Sequence, residues 1–170
     1  MPSRGLVLLA KDTFSAVTKV SFDNVFSNTY KQYKIVFDMV KNSATNRNID
    51  MRLRASGTDN SSSQYNWQYI YGESTTVGAS RSATASEWVN VVYGLANGAE
   101  KSITILEVHN PFQTANATAN VGRGYKLGQA DIGMDVSAYG MDVTTSYDGF
   151  SVYPTAETIT GSITVYGLAQ

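Results

Sequence analysis

His109 is the chain's single histidine, and Glu107 stands two residues before it on the same side of an alternating run. A carboxylate set against an imidazole can move a proton in general acid–base chemistry. No signature of a nucleophile with an orienting partner accompanies the pair, and the turn His109-Asn110-Pro111 reads more simply as the end of a strand. Gly122-Arg123-Gly124-Tyr125-Lys126-Leu127-Gly128 has the glycine content of a phosphate loop. It departs from the GxGxxG spacing, and no helical pattern follows to supply a dipole, so the segment reads as a glycine-bearing strand or bulge. The polar stretch 56–63 offers one carboxylate, Asp59, where a hard cation wants about six to eight oxygens with several carboxylates among them. Asp131, Asp135, Asp142 and Asp148 lie near glycines, and a glycosidase needs two carboxyls at a set separation. Acidic residues at turns are the ordinary case. The expectation is a chain without catalytic residues, metal ligands or a cofactor site.

Aromatic residues carry more information. Tyr65, Trp67, Tyr69 and Tyr71 alternate with Asn66, Gln68 and Ile70 and would line one face of a strand. Trp88 and Tyr93 are expected on a neighbouring strand. Core packing accounts for most such residues, but Tyr and Trp also suit interfaces and sugar-binding surfaces, offering large area with a polar handle. Tyr65, Trp67, Tyr69 and Trp88 are the candidate interaction surface.

The elements that would position these residues are strands. Of 170 residues, 42% are hydrophobic and only 16% charged, with 14 Gly and 11 Tyr, a composition suited to short strands and polar turns. Thirteen basic residues against 14 acidic ones leave no surplus to neutralise a phosphate backbone, which argues against a nucleic-acid partner. There is no cysteine, consistent with folding in a reducing cytosol. The apolar stretch 6–10 is too short for a signal-peptide core or a membrane span, so a soluble protein without membrane insertion is expected.

Period-two alternation runs through the chain. Tyr33, Ile35, Phe37 and Met39 share one side of a strand. Ile49, Met51, Leu53 and Ala55 face inward, with Asp50, Arg52 and Arg54 outward. Further strands are expected at 87–95, 102–109, 133–139, 147–153 and 158–168, and a short helix capped by Ser27 at 27–32. Turn-rich pieces fall at 42–48, 56–63, 72–85, 97–101, 110–120 and 155–157. This pattern predicts one all-β domain over 1–170, an antiparallel β-sandwich of jelly-roll-like form, with 1–12 as an N-terminal arm or edge strand.

Four stretches in this order resemble a group of tailed-bacteriophage virion proteins with β-sandwich folds. They are Val20-Ser21-Phe22-Asp23-Asn24-Val25-Phe26 leading into Tyr30–Phe37, Met51-Arg52-Leu53-Arg54-Ala55-Ser56-Gly57-Thr58-Asp59-Asn60 followed by Tyr65 and Tyr71, Ile105-Leu106-Glu107-Val108-His109-Asn110-Pro111-Phe112, and Ser146-Tyr147-Asp148-Gly149-Phe150 with the later run ending Tyr166-Gly167-Leu168. The resemblance spans nearly the whole chain from about Gly5 and brings no active site. It implies a capsid decoration (cement) protein that binds the major capsid protein and itself, commonly as a homotrimer, on the virion surface after synthesis in the host cytoplasm. The alternative it implies is a tail-fibre or receptor-binding module contacting host surface glycans.

Overall fold

Side chains alternate in and out along a strand, and β3 (Gln32–Asn42) realises the pattern fully. Tyr33, Ile35, Phe37, Met39 and Lys41 are buried, and the residues between them are half-exposed. The computed structural model describes residues 5–42, 47–94, 102–127 and 131–169, and among these it contains strands and no helix. β3 lies in an eight-stranded antiparallel sheet with β1 (Gly5–Val17), β6 (Tyr65–Glu73), β7 (Thr76–Ala85), β9 (Ser102–His109), β10 (Thr118–Leu127), β11 (Asp131–Met141) and β13 (Thr158–Ala169), in the order β1-β13-β3-β9-β10-β11-β6-β7. The second sheet has the order β2 (Val20–Phe22), β12 (Gly149–Pro154), β4 (Arg47–Ala55) and β5 (Thr58–Asp59), with β8 (Trp88–Gly94) also pairing β4. The chain is an antiparallel β-sandwich.

The core lies between the sheets. Ile35, Phe37, Leu106, Ile163 and Val165 of the large sheet meet Ile49, Met51, Leu53, Phe150 and Val152 of the small one, each contributing about 1.5–3 kcal/mol on full burial. Phe150 stacks on Phe22 at 5.1 Å between ring centroids, and Phe26 packs edge-on against Tyr33 at 4.7 Å.

Three expectations change. Residues 27–32 form a turn at Asn28–Thr29, not a helix. The Tyr33 hydroxyl accepts the Ser27 N–H at 2.8 Å and donates to the Ser27 carbonyl at 2.9 Å, so both backbone groups are satisfied without one. The stretch 72–85 is the β6–β7 hairpin, turning at Ser74 with φ of 52°. Its second strand lacks an apolar signal because β7 is an edge strand with most side chains exposed. Asp50 and Arg54 do project from the outer face of β4 but are buried there. β1 is the other edge strand; its pairing with β13 continues past residue 12 to Val17. Of the turn expected at 42–48, Asn42 closes β3 and Arg47 and Asn48 open β4; residues 43–46 and the turn expected at 97–101 lie outside the described residues.

Ion pairs tile the outer face of the small sheet. Arg54 donates to Asp23 at 2.7 Å, to Asp59 and to the Gly57 carbonyl, while Lys19 reaches Asp59 at 3.1 Å. Arg52 pairs with Glu87 at 2.6 Å, lies over the Tyr153 ring, and shares Glu87 with the Tyr153 hydroxyl at 2.9 Å.

Candidate functional site

The strand β11 runs against the amphipathic rule. Ile132, Met134 and Val136 are 75%, 63% and 64% exposed, whereas Asp135 and Ser137, on the other side of the strand, are 4% and 1% exposed. The inward polar set explains the orientation. Arg123 on β10 is the direct cross-strand partner of Asp135, and its Nε and a terminal nitrogen donate to Asp135 Oδ2 at 3.0 and 2.8 Å. The same guanidinium donates to the carbonyls of Val91 and Asn90, each at 2.8 Å.

Those carbonyls belong to a bulge in β8, where the register against β4 shifts between Ile49 and Met51 and Asn90 has φ of 59°. Tyr139 donates its hydroxyl to the Asn90 carbonyl at 3.0 Å, and Asp50 accepts the Asn90 N–H at 2.7 Å. Side chains from β4, β10 and β11 thus satisfy the backbone groups that the bulge takes out of the ladder.

Burial pushes the Asp50 carboxyl up to about 6, against the Asn90 N–H that favours its charged form. A carboxyl raised in the fold contributes stability fully below its unfolded value near 4, and that contribution is lost as pH rises through about 6. Asp50→Asn is therefore expected to be about 1–3 kcal/mol more stable than the parent at pH 7.5, with the difference gone by pH 4. Urea melts of both proteins at the two pH values check this. A gap that does not change with pH would show that Asp50 is not the titrating group.

Of the candidate aromatics, Tyr65 and Trp88 are wholly buried and are not available as contact surface. They meet edge-on at 6.1 Å, one from each sheet, and the Trp88 indole donates to the Gly140 carbonyl at 2.9 Å. Trp67 and Tyr69 do reach the surface, half-buried, with Tyr71 beyond them. Trp67 and Tyr69 stack at 5.5 Å and 12°, and Tyr69 and Tyr71 follow at 6.0 Å. The ladder stays partly open because β6 and β7 lie at the end of the longer sheet, where the smaller sheet covers them incompletely. Gly78, facing Tyr71 across the hairpin, lets the ring lie flat over the backbone: a Cβ there would come within 2.8 Å of three ring and hydroxyl atoms.

The ladder's far end opens into a cleft of about 180 Å³ lined by Asn48, Tyr69, Tyr71, Glu73, Asn90, Tyr93 and Asp135. Sequence reasoning named only part of this set. The missing members, Asn48, Glu73 and Asn90, come from β4, β6 and β8 and share no local pattern.

On the opposite side of the large sheet the register builds two uncharged rows, Gly122–Val136–Ile70–Ala79 and Gly124–Met134–Gly72–Val77. Ile103 and Ile105 on β9 and Ile132 on β11 are exposed on the same face. Exposed apolar faces are a common feature of interaction surfaces. The sequence signal was present in the alternation of 132–136, but alternation alone does not say which side is buried.

The other chemical candidates have structural engagements. Glu107 pairs with Lys34 at 3.5 Å, and both line a shallow hollow with His109, Gln32 and Leu168. Residues 122–127 of the glycine-rich segment lie in strand β10, and Gly128 lies outside the described residues. Burial raises the Asp59 carboxyl, but Ser151, Lys19 and Arg54 outweigh it and hold the group below its ordinary value, so its charge is already compensated. Asp148 accepts the Ser56 N–H at 2.9 Å and Asp142 accepts from Asn66. The side chain of Asp131 lies outside the described residues.

These surfaces define an antiparallel β-sandwich with one charged outer face, one apolar outer face and a tyrosine-lined cleft at the open end of its larger sheet. No protein family, curated protein or solved structure matches the chain.

Proposed function

We propose that the chain is a structural subunit of a bacteriophage particle, a capsid decoration protein that associates with copies of itself and bridges the major capsid protein. The observation that carries the reading is the inverted strand β11, which keeps its polar side in the core and offers Ile132, Met134 and Val136 to the outside. With Ile70, Val77, Ile103 and Ile105, seven large apolar side chains of the large sheet are exposed, apolar surface that a protein partner would cover. Glycines alternate with bulky residues along the row Gly124–Met134–Gly72–Val77, giving ridges and hollows into which a second copy packs. The virion setting comes from the sequence resemblance.

Light scattering is expected to find trimers for the parent and folded monomers for Met134→Lys and Val136→Lys, whose ammonium groups would be buried without partners. A monomeric parent, or variants that still associate, would remove this face as the contact. Shells carrying the protein are expected to survive heat and low salt that disrupt shells without it. Equal resistance would rule out the cement role. A second reading, a tail module that contacts host glycans, is favoured by one observation, the tyrosine-lined cleft.

A further inference from the structure

We infer that the cleft between β4, β6, β8 and β11 is a binding site for an uncharged saccharide, which gives the second reading its ligand class. Three tyrosines, Tyr69, Tyr71 and Tyr93, line it together with two amides, Asn48 and Asn90, and two carboxylates, Glu73 and Asp135. Aromatic faces pack against the C–H faces of a pyranose ring, and amides and carboxylates accept and donate in the plane of its hydroxyls.

One polar atom supports a ligand independently of this lining. Asn90 is 6% exposed, and its Oδ1 has no hydrogen-bond partner among the described residues. An amide oxygen buried without a partner is costly to the fold, and a sugar hydroxyl would satisfy it. The Asn90 backbone is meanwhile clamped by Asp50, Arg123 and Tyr139, so the amide is held in place before any ligand arrives.

Charge and size narrow the class. Arg123, beside the cleft, spends its guanidinium on Asp135 and two carbonyls. The described residues that line the cleft include two carboxylates and no lysine or arginine, a lining that disfavours sialic acids, uronic acids and phosphorylated sugars. Its volume of about 180 Å³, that of roughly six liquid waters, holds one ring. Neighbouring rings of an oligosaccharide would run along the Trp67–Tyr69–Tyr71 ladder.

A glycan array carrying neutral and acidic oligosaccharides, followed by calorimetry with the best-retained neutral one, tests the inference. Neutral glycans are expected to bind, with affinity falling about tenfold or more in Tyr69→Ala and in Asn48→Ala. Asn48→Ala decides the matter if Tyr69→Ala fails to fold. Retention of acidic glycans alone, of none at all, or of neutral glycans undiminished in both variants would overturn it. Val136→Lys separates the two surfaces, because it disrupts the proposed assembly face and is expected to leave saccharide affinity unchanged. Array binding by parent and variant alike, at a virion position on the head, would leave the site standing while removing the tail reading.

Discussion

Arg123→Ala is expected to destabilise the fold by about 3–5 kcal/mol, the cost of leaving a buried carboxylate without its partner. Arg123 and Asp135 have side chains only 3% and 2% exposed. Burial already pushes the Asp135 carboxyl up despite the guanidinium beside it, so removing that guanidinium leaves nothing of comparable strength to hold the charge. The Val91 carbonyl loses its guanidinium donor at the same time and the Asn90 carbonyl is left with the Tyr139 hydroxyl, and the β8 bulge is loosened with them. Against a typical domain stability of about 5–15 kcal/mol, this is a large fraction. The double variant Arg123→Met with Asp135→Leu is expected to cost much less than the two single changes added together, because no unpaired charge remains. Urea denaturation of the four proteins at pH 7 measures this. A single-variant cost below about 1 kcal/mol, or strict additivity in the pair, would mean that the ion pair is not what holds β10 and β11 to β8.

Trp88→Ala is expected to cost a similar amount, about 3–5 kcal/mol, through the cavity it leaves between the sheets. The indole touches Tyr65 from the large sheet, lies 5.7 Å from the Tyr139 ring and donates to the Gly140 carbonyl. One substitution thus removes packing and a buried hydrogen bond together. Trp67→Ala, made at the half-buried ladder, is expected to cost about 1 kcal/mol. The two tryptophans belong to the same residue type and similar local patterns, so comparing their thermal melts tests the core assignment directly. Equal costs would show that the ladder is part of the core, or that Trp88 is not.

Much of the fold was legible. Ile35-Val36-Phe37 and Ile49–Leu53 alternate because each strand buries one face, and that period belongs to the local backbone. β7 was not legible: its Ser, Thr and Ala residues form an exposed edge, where no apolar periodicity is needed. Asp50 read as a solvent-facing carboxylate, since nothing near it in the chain announces that a bulge forty residues later would donate an N–H to it. Among the candidate site residues, Tyr65, Trp67, Tyr69 and Trp88 look alike as sequence. What separates them is how far the second sheet extends over the first.

By itself, the amino-acid order determined the strands, their apolar sides and the antiparallel sandwich, because hydrophobic alternation and turn chemistry act over a few residues. Tertiary structure alone decided which side of β11 faces the core. Arg123 and Asp135 meet only through the β10–β11 register, and their paired charges, together with the bulge carbonyls they serve, hold the polar side inward and leave Met134 and Val136 outside. The cleft is decided in the same way. Its tyrosines, amides and carboxylates lie on four strands, and only the unequal length of the two sheets leaves the place where they meet open.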